Sequence, residues 1–338
     1  IKPGTVIRVT ALTTEYGKKY TDFAVDHEID YIEFDAGWYD AEWEETSDAR
    51  TPKEDLDIQS VIEYAGERGI GVILYVNRNA LMKQLDEILP LYKEWGVKGI
   101  KMGFVKVGSQ EATRWLHDAV RNAARHPLMV DIHDSYRPTG FSRTYPNLMT
   151  QEGVRGNEHM PVSEHNVTLP FTRLVSGAAD CTMCYYTDRI KNTHAHQLAT
   201  SVVFYSPLQF LFWYDRPSEY QGEPEIEFWH DLPTVWDETK VLHGKIGDSI
   251  TVARRSGEEW YVASLTDENS RELPIQLSFL DPERNYIADI YSDGGEDVAT
   301  RTQVRVDRRP VTAKSRITAS LAANGGHSMR ICPRGSEE

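Results

Sequence analysis

The sequence has few cysteines, no long apolar run and no excess of basic residues. Its 338 residues include three cysteines, too few for a disulfide framework. Cys181 and Cys184 form an isolated C-x-x-C pair. Without a second such pair we interpret them as small buried side chains rather than zinc ligands. No apolar stretch approaches the roughly 20 residues that a membrane-spanning helix needs, so we expect no membrane insertion.

The charge balance is acidic. Asp and Glu number 52 against 37 Lys and Arg, which gives a net charge of −15 and an isoelectric point near 5.2. Binding to a nucleic-acid backbone depends on basic side chains, so we expect no nucleic-acid partner. The first strand is not followed by G-x-G-x-x-G, and G-x-x-x-x-G-K-[ST] is absent from the sequence. Both absences count against a nucleotide-binding fold.

Short apolar strands alternate with amphipathic helices over the first two thirds of the chain. The predicted strands are Val6–Val9, Asp30–Phe34, Ile70–Val76, Val97–Met102, Leu128–Ile132, Leu148–Thr150, Gly177–Ala179 and Leu208–Phe212. The predicted helices are Thr13–His27, Asp57–Arg68, Leu81–Trp95, Glu111–Ala124 and His194–Tyr205. Strands separated by helices of this length indicate βαβ crossovers and a parallel sheet. Eight of them favour a (β/α)8 barrel.

The pattern changes near Asp237, after which short strands follow one another with turn residues between them. They are Ser249–Ser256, Glu259–Leu265, Leu273–Phe279, Tyr286–Tyr291, Gln303–Val306, Arg316–Ser320 and His327–Ile331. Such a series is typical of a small antiparallel β-sandwich. We therefore predict a catalytic α/β barrel over residues 1–236 and a C-terminal β-sandwich over residues 237–338.

A barrel of this type carries its active site at the carboxyl ends of its strands. The residues at those ends are rich in carboxylates and aromatic rings and include no serine or cysteine nucleophile motif. This composition suits a sugar, and two carboxyl groups are the minimum apparatus for hydrolysing a glycosidic bond. Sugar isomerases and metal-dependent aldolases share the barrel. Taken singly, Asp134 is also explained as a turn residue, His133 as a core histidine, and Glu152 and Glu158 as surface acids.

Five stretches of the sequence resemble glycoside hydrolase family 97, which contains bacterial, calcium-dependent α-glucosidases and α-galactosidases. They are IKPG at Ile1, YIEFDAGWY at Tyr31, GVKGIKMGF at Gly96, IHDSYRPTGFSRTYPNLMTQEGVRGNE at Ile132 and EHNVTLPFTRLVSGAAD at Glu164. The long stretch from Ile132 is specific enough to make a chance match improbable. The resemblance covers the barrel and extends to the sandwich.

The family has an inverting and a retaining branch. Inverting members carry glutamates at the ends of strands three and five, where this sequence has Asn77 and Asp134. Retaining members carry an aspartate nucleophile in G-I-K-x-D-F, and here Gly103 stands at that position. The resemblance therefore implies an exo-acting, retaining α-galactosidase that hydrolyses terminal α-galactosides by double displacement. We interpret Gly103 as a replacement of the nucleophile Asp, which predicts an inactivated enzyme with a cavity beside residue 103.

The resemblance also implies roles for other residues. Glu158 matches the general acid/base, and Glu152, Glu158 and Asp134 are the predicted ligands of a Ca²⁺ ion. The predicted contacts to the sugar are Asp35, Trp38, Lys101, His133 and Asp134.

Two alternatives stay open at this point. One is an inverting α-glucosidase with Asp134 as the base, and the other is a non-catalytic carbohydrate-binding barrel. Family members carry an N-terminal β-sandwich before the barrel, so we expect that domain of the same protein to be missing from this chain. The family also implies a periplasmic or secreted bacterial location.

Overall fold

A computed structural model describes residues 1–39, 41–230 and 232–334. The chain forms two compact units. The first consists of Ile1–Glu158, Ser176–Tyr186 and Ser206–Tyr220, and the second of the remaining segments. Several segments before residue 236 thus group with the C-terminal part of the chain, which differs from a single division between residues 236 and 237.

The first unit is built on a sheet of seven parallel strands in the order β6-β5-β4-β3-β2-β1-β7. The strands are β1 (Gly4–Val9), β2 (Tyr31–Phe34), β3 (Gly71–Asn77), β4 (Gly99–Gly103), β5 (Met129–Ile132), β6 (Leu148–Gln151) and β7 (Leu208–Leu211). Strands β2 to β7 are buried along their whole length, as expected for a parallel sheet covered by helices. The predicted barrel class is confirmed.

The predicted strand Gly177–Ala179 is wrong, because the chain there is irregular. Thr182 has a left-handed backbone with φ of 47°, which a regular strand does not allow. The segment still bridges the outer strands. The Asp180 N–H donates to the Gln151 carbonyl over 3.1 Å, and the Met183 N–H donates to the Phe210 carbonyl over 3.1 Å. An irregular segment therefore takes the place of the eighth strand between β6 and β7.

Four helices connect the strands of the first unit: α1 (Thr14–Asp26), α2 (Ile58–Gly66), α3 (Arg78–Trp95) and α4 (Gln110–Arg125). Side chains of Thr13, Asp57 and Ser109 accept N–H groups of the first turns of α1, α2 and α4, which satisfies donors that a helix start leaves unpaired. Helix α3 ends at Gly96, whose φ of 90° requires glycine.

Over its described residues, the second unit contains two α-helices and eight antiparallel strands. The helices are α5 (Ser163–Thr168) and α6 (His194–Val203). The strands are β8 (Glu238–Lys245), β9 (Ser249–Ser256), β10 (Glu259–Thr266), β11 (Arg271–Gln276), β12 (Tyr286–Asp293), β13 (Val304–Val311), β14 (Arg316–Leu321) and β15 (Gly326–Pro333).

Six of these strands form one sheet in the order β13-β12-β15-β10-β9-β8, and β11 pairs with β14. The apolar core between the sheets includes Trp260, Ile275, Ile317 and Met329, and α6 packs against β10 and β15. Strand β8 was not predicted from the sequence, because it is an edge strand whose side chains are mostly exposed. Among the described residues, no helix combines the length and apolarity needed to cross a bilayer.

Candidate active site

His133, which directly follows β5, lies among three carboxylates of the first unit. Its Nδ1 is 3.2 Å from Oδ2 of Asp180 and 3.6 Å from Oε2 of Glu152, and its Nε2 is 3.7 Å from Oε1 of Glu158. Asp180 comes from the irregular bridging segment, and both glutamates follow β6. The imidazole therefore joins residues from three consecutive positions around the sheet.

Lys101, in the middle of β4, forms a second buried charge centre behind His133. Its Nζ is 3.1 Å from Oδ2 of Asp180 and 3.8 Å from Oδ2 of Asp131, and all three side chains are fully buried. The ammonium also lies 4.0 Å from the ring centroid of Trp213, within reach of a cation–π interaction. Lys101 is thus held by the protein itself.

The protonation states follow from these neighbours. Burial opposes a charge on Lys101, but Asp180 and Asp131 outweigh it and raise the pKa of Lys101. Burial and Lys101 likewise oppose a charge on His133, yet Asp180 and Glu158 raise its pKa well above the usual range. Burial raises the pKa of Asp131. Asp180 is buried too, but Lys101 and His133 lower its pKa. The centre therefore holds a cationic lysine, a cationic histidine and an ionised Asp180.

The two glutamates beside His133 differ in charge state. Burial raises the pKa of Glu152 to about 7. Burial acts in the same direction on Glu158, but the hydrogen bond and charge of His133 outweigh it and lower the pKa of Glu158. The raised pKa of His133 and the lowered pKa of Glu158 place the proton on the imidazole beside an ionised Glu158. At Glu152, burial outweighs the charge of His133.

Two groups of side chains have the spacing of metal ligands. Ligand atoms of His133, Glu152 and Glu158 lie within 4.8 Å of one another, and so do those of Asp131, His133 and Asp180. The predicted ligands Glu152 and Glu158 are thus brought together, whereas the third predicted ligand, Asp134, belongs to neither group. Two carboxylates offer the oxygen ligands that Ca²⁺ prefers.

Asp134 is partly exposed and is turned toward the end of β4. Its Oδ2 accepts the backbone N–H of Phe104, and its carbonyl accepts the N–H of Gly153 over 2.8 Å. Both Asp134 (φ 67°) and Phe104 (φ 53°) have left-handed backbones. The connection brings a carboxylate beside the residue that follows Gly103.

The cavity expected beside Gly103 is not there. A Cβ atom at residue 103 would lie 2.0 Å from Cε2 and 2.2 Å from the hydroxyl oxygen of Tyr75. Tyr75 belongs to β3, is 2% exposed, and its ring fills the space that a side chain at residue 103 would need. The expectation of a gap is therefore wrong, and an aspartate at residue 103 would require Tyr75 to move.

The other predicted sugar contacts have different surroundings. Asp35 is paired with Arg8 over 2.9 Å and accepts the N–H of Ala36. Trp38 is fully buried, and its indole N–H donates to the Tyr75 carbonyl over 2.7 Å. The prediction that Trp38 contacts the sugar is therefore corrected, because its ring is buried and packs in the wall behind the site.

Asp180 and Tyr75 are not among the site residues predicted from the sequence. Asp180 directly follows the predicted strand Gly177–Ala179, so the same search of strand ends would have found it. Tyr75 gave no signal, because its role depends on the match between its ring and a glycine on the neighbouring strand.

The chain is similar to proteins of one family over both units. The sequence pattern described as Glycoside hydrolase 97 matches residues 5–154, and the one described as Glycosyl-hydrolase 97 C-terminal, oligomerisation, matches residues 235–332. A "Retaining alpha-galactosidase" of Bacteroides thetaiotaomicron is 33% identical over 96% of this chain and 51% of its own length. A "Probable retaining alpha-galactosidase" of Streptomyces bingchenggensis is 31% identical over 93% of this chain and 49% of its own.

A solved structure agrees with these matches. A glycoside hydrolase family 97 enzyme from Pseudoalteromonas sp. strain K8, in complex with acarbose, superposes with a TM-score of 0.90 at 29% identity. The superposition covers 99% of this chain and 61% of the solved chain. This chain therefore spans about half the length of the curated relatives it matches. Sequence patterns, relatives and fold agree, and the chain belongs to glycoside hydrolase family 97.

Proposed function

We propose that the protein is a glycoside hydrolase that removes terminal α-linked galactose from its substrates. The names of two curated relatives, which match nearly the whole chain, support the sugar and the linkage. The site supports the reaction class, because carboxyl groups with contrasting protonation states meet at the carboxyl ends of barrel strands. Hydrolysis of a glycosidic bond needs an acid and a second carboxylate.

Glu158 is the proposed general acid. His133 carries the proton beside it, with Nε2 3.7 Å from Oε1 of Glu158. This proton passes to Glu158 when the substrate binds, and Glu158 delivers it to the leaving oxygen. Asp180 holds the other ring nitrogen of His133 and so fixes the orientation of the imidazole. When the bond breaks, the leaving oxygen takes this proton, which leaves His133 neutral and Glu158 ionised.

Asp134 is the proposed base that activates water, so the reaction proceeds with inversion, in contrast to the two relatives whose names describe them as retaining. The observation that carries this choice is the Tyr75 ring at Gly103, which leaves no room for a carboxylate nucleophile on β4. Asp134 instead brings its carboxylate next to Phe104. A carboxylate has further lone pairs beyond the one that accepts the Phe104 N–H, so Asp134 is able to accept a proton from water.

Glu152 and Glu158 are the proposed ligands of a Ca²⁺ ion. The fit rests on one carboxylate oxygen from each residue, which lie within 4.8 Å of one another, since Ca²⁺ prefers oxygen ligands. A bound Ca²⁺ supplies positive charge that orients carboxylates and lowers their pKa. If Ca²⁺ binds there, removal by a chelator lowers the activity and added Ca²⁺ restores it; an unchanged rate contradicts the assignment.

The decisive experiment follows the first product anomer by NMR during hydrolysis of an aryl α-galactoside, with an aryl α-glucoside as the second substrate. Inversion predicts β-galactose first, and Asp134→Asn lowers kcat by about two to four orders of magnitude. An α product first contradicts inversion. Binding of either sugar without hydrolysis favours the non-catalytic alternative.

The retaining hypothesis has its own test. Gly103→Asp alone is expected to destabilise the protein, since overpacking of a buried site costs about 1–3 kcal/mol. The double variant Gly103→Asp with Tyr75→Ala provides the missing space. If that double variant gains retaining activity that the unmodified protein lacks, Gly103 stands in place of a nucleophile and our assignment of Asp134 fails.

A further inference from the structure

Two aromatic side chains of the first unit are exposed on the loops that follow β2 and β4. Trp43 is 60% exposed and Phe104 is 45% exposed. Their ring centroids are 4.4 Å apart, with an angle of 76° between the planes. Both loops leave the carboxyl ends of strands, where a barrel carries its active site. Large apolar side chains exposed together at such a place indicate a binding surface.

The first turn of α3 holds both loops in place. Nη1 of Arg78 donates to the Phe104 carbonyl over 3.2 Å. Nδ2 of Asn79 lies 3.3 Å from the Trp43 carbonyl and 3.2 Å from the Glu42 carbonyl, as a donor to both. Two consecutive residues thus fasten the two aromatic residues to one helix. A surface fixed before a ligand arrives loses little conformational freedom on binding.

Phe104 also connects this surface to the reacting groups. Its φ of 53° is uncommon for a bulky residue, and such a backbone persists where the surroundings impose it, often at ligand sites. Here the surroundings are the bond from its N–H to Asp134 and the bond from Arg78 to its carbonyl. The ring therefore stands one residue beyond Gly103 and one hydrogen bond from the proposed base.

We propose that Trp43 and Phe104 form the subsite for the leaving-group sugar, the ring on the far side of the bond that is cleaved. This inference rests on the proposed function and names a part of its substrate site. Aromatic rings are common in the walls of ligand sites, and the apolar face of a pyranose stacks on them. Arg78, which donates to the Phe104 carbonyl, also lines a cavity of about 250 Å³ together with Met82 and Trp115.

The test compares two ligands by titration calorimetry in a Glu158→Gln background that does not turn them over. One ligand is methyl α-galactoside, which has no leaving-group ring, and the other is an α-galactosyl disaccharide. Trp43→Ala is expected to weaken disaccharide binding about tenfold, and to weaken methyl α-galactoside binding far less. Trp43→Phe, which keeps an aromatic face, is expected to restore most of the difference.

The matched control is Trp95→Ala. Trp95 is the last residue of α3 and stacks on Tyr92 with ring centroids 5.5 Å apart, at the opposite end of the helix from Arg78. This variant is expected to leave the ratio of the two dissociation constants unchanged.

The outcomes separate this inference from the proposed function. Equal losses for both ligands, or no loss for either, overturn the subsite, as does failure of both ligands to bind. If the unmodified protein binds both ligands but hydrolyses neither, the proposed function fails. The Trp43→Ala ratio still decides the subsite in that case.

Discussion

Two buried histidines, His133 in the first unit and His196 in the second, have pKa values shifted in opposite directions. His133, 8% exposed in the first unit, has a pKa raised well above the usual range, because Asp180 and Glu158 outweigh burial and Lys101. His196, fully buried in α6 of the second unit, has a pKa that burial lowers to about 4. Nδ1 of His196 lies 3.0 Å from the Gly325 carbonyl, and its Nε2 lies 3.0 Å from the Asn166 amide.

The difference lies in the partners rather than in the depth of burial. A carbonyl and an amide satisfy both nitrogens of a neutral ring, whereas carboxylates hold the ring as a cation. The first unit keeps ionised groups away from water at strand ends, which is typical of a functional site. The second unit keeps His196 neutral, as expected for a residue that serves packing.

The largest expected effect comes from removing one charge from the first unit. Asp180→Asn leaves Lys101 and His133 with less compensation, and breaking a buried ion pair costs about 3–5 kcal/mol. Urea unfolding measures the loss. Asp118→Asn, which removes a largely exposed partner of Arg121, is the control and is expected to change nothing measurable. If Asp180→Asn is equally harmless, the buried centre of the first unit is not ionic, and the contrast with the neutral His196 of the second unit does not hold.

The second unit is expected to respond to acid instead. The pKa of His196 is about 4 when folded and about 6.5 when unfolded. Between these values the unfolded chain binds a proton that the folded chain does not, so stability falls as the pH drops from about 6.5 to 4. The loss is about 3 kcal/mol at 1.36 kcal/mol per pKa unit.

Unfolding in urea between pH 7 and pH 4 measures this slope. His196→Gln is expected to be less stable at pH 7 but to lose less stability on acidification. An unchanged slope would show that the proton is taken up elsewhere; His327, whose pKa burial also lowers to about 4, is the next residue to test.

Much of the fold could be predicted from sequence, because apolar residues recur at helical or strand spacing wherever one face of a helix or strand is buried. Helix α3 follows an apolar stripe and ends at Gly96, so its C-terminus was predicted at Trp95 as found. Edge strands lack that signal. Strand β13 runs to Val311, well beyond the predicted Val306, through exposed charged residues. The predicted strand Gly177–Ala179 is irregular, and the left-handed backbone of Thr182 that follows it leaves no periodic pattern in the sequence.

The site was predictable only where a single strand end carries the chemistry. His133, Glu152 and Glu158 follow strand ends, and the structure brings them together. The fit of Tyr75 against Gly103 depends on two strands in register, Tyr75 opposite Lys101 and Asn77 opposite Gly103. The pairing of two strands cannot be inferred from either strand alone. The absence of a side chain at Gly103 was therefore wrongly predicted to leave a cavity, although the Tyr75 ring fills that space.

The smallest expected effect compares a buried tyrosine hydroxyl from each unit. Among the described residues, the Tyr75 hydroxyl has no hydrogen-bond partner, whereas the Tyr261 hydroxyl donates to Oε2 of Glu259 over 3.0 Å. A hydrogen bond to a charged group contributes about 1.5–3 kcal/mol, so Tyr261→Phe is expected to be destabilising, whereas removing an unpartnered hydroxyl is nearly neutral or stabilising. Thermal unfolding of Tyr75→Phe and Tyr261→Phe measures the contrast. Equal destabilisation of the two variants would mean that the Tyr75 hydroxyl has a hydrogen-bond partner, such as a buried water. The two tyrosine hydroxyls would then be equally well hydrogen-bonded.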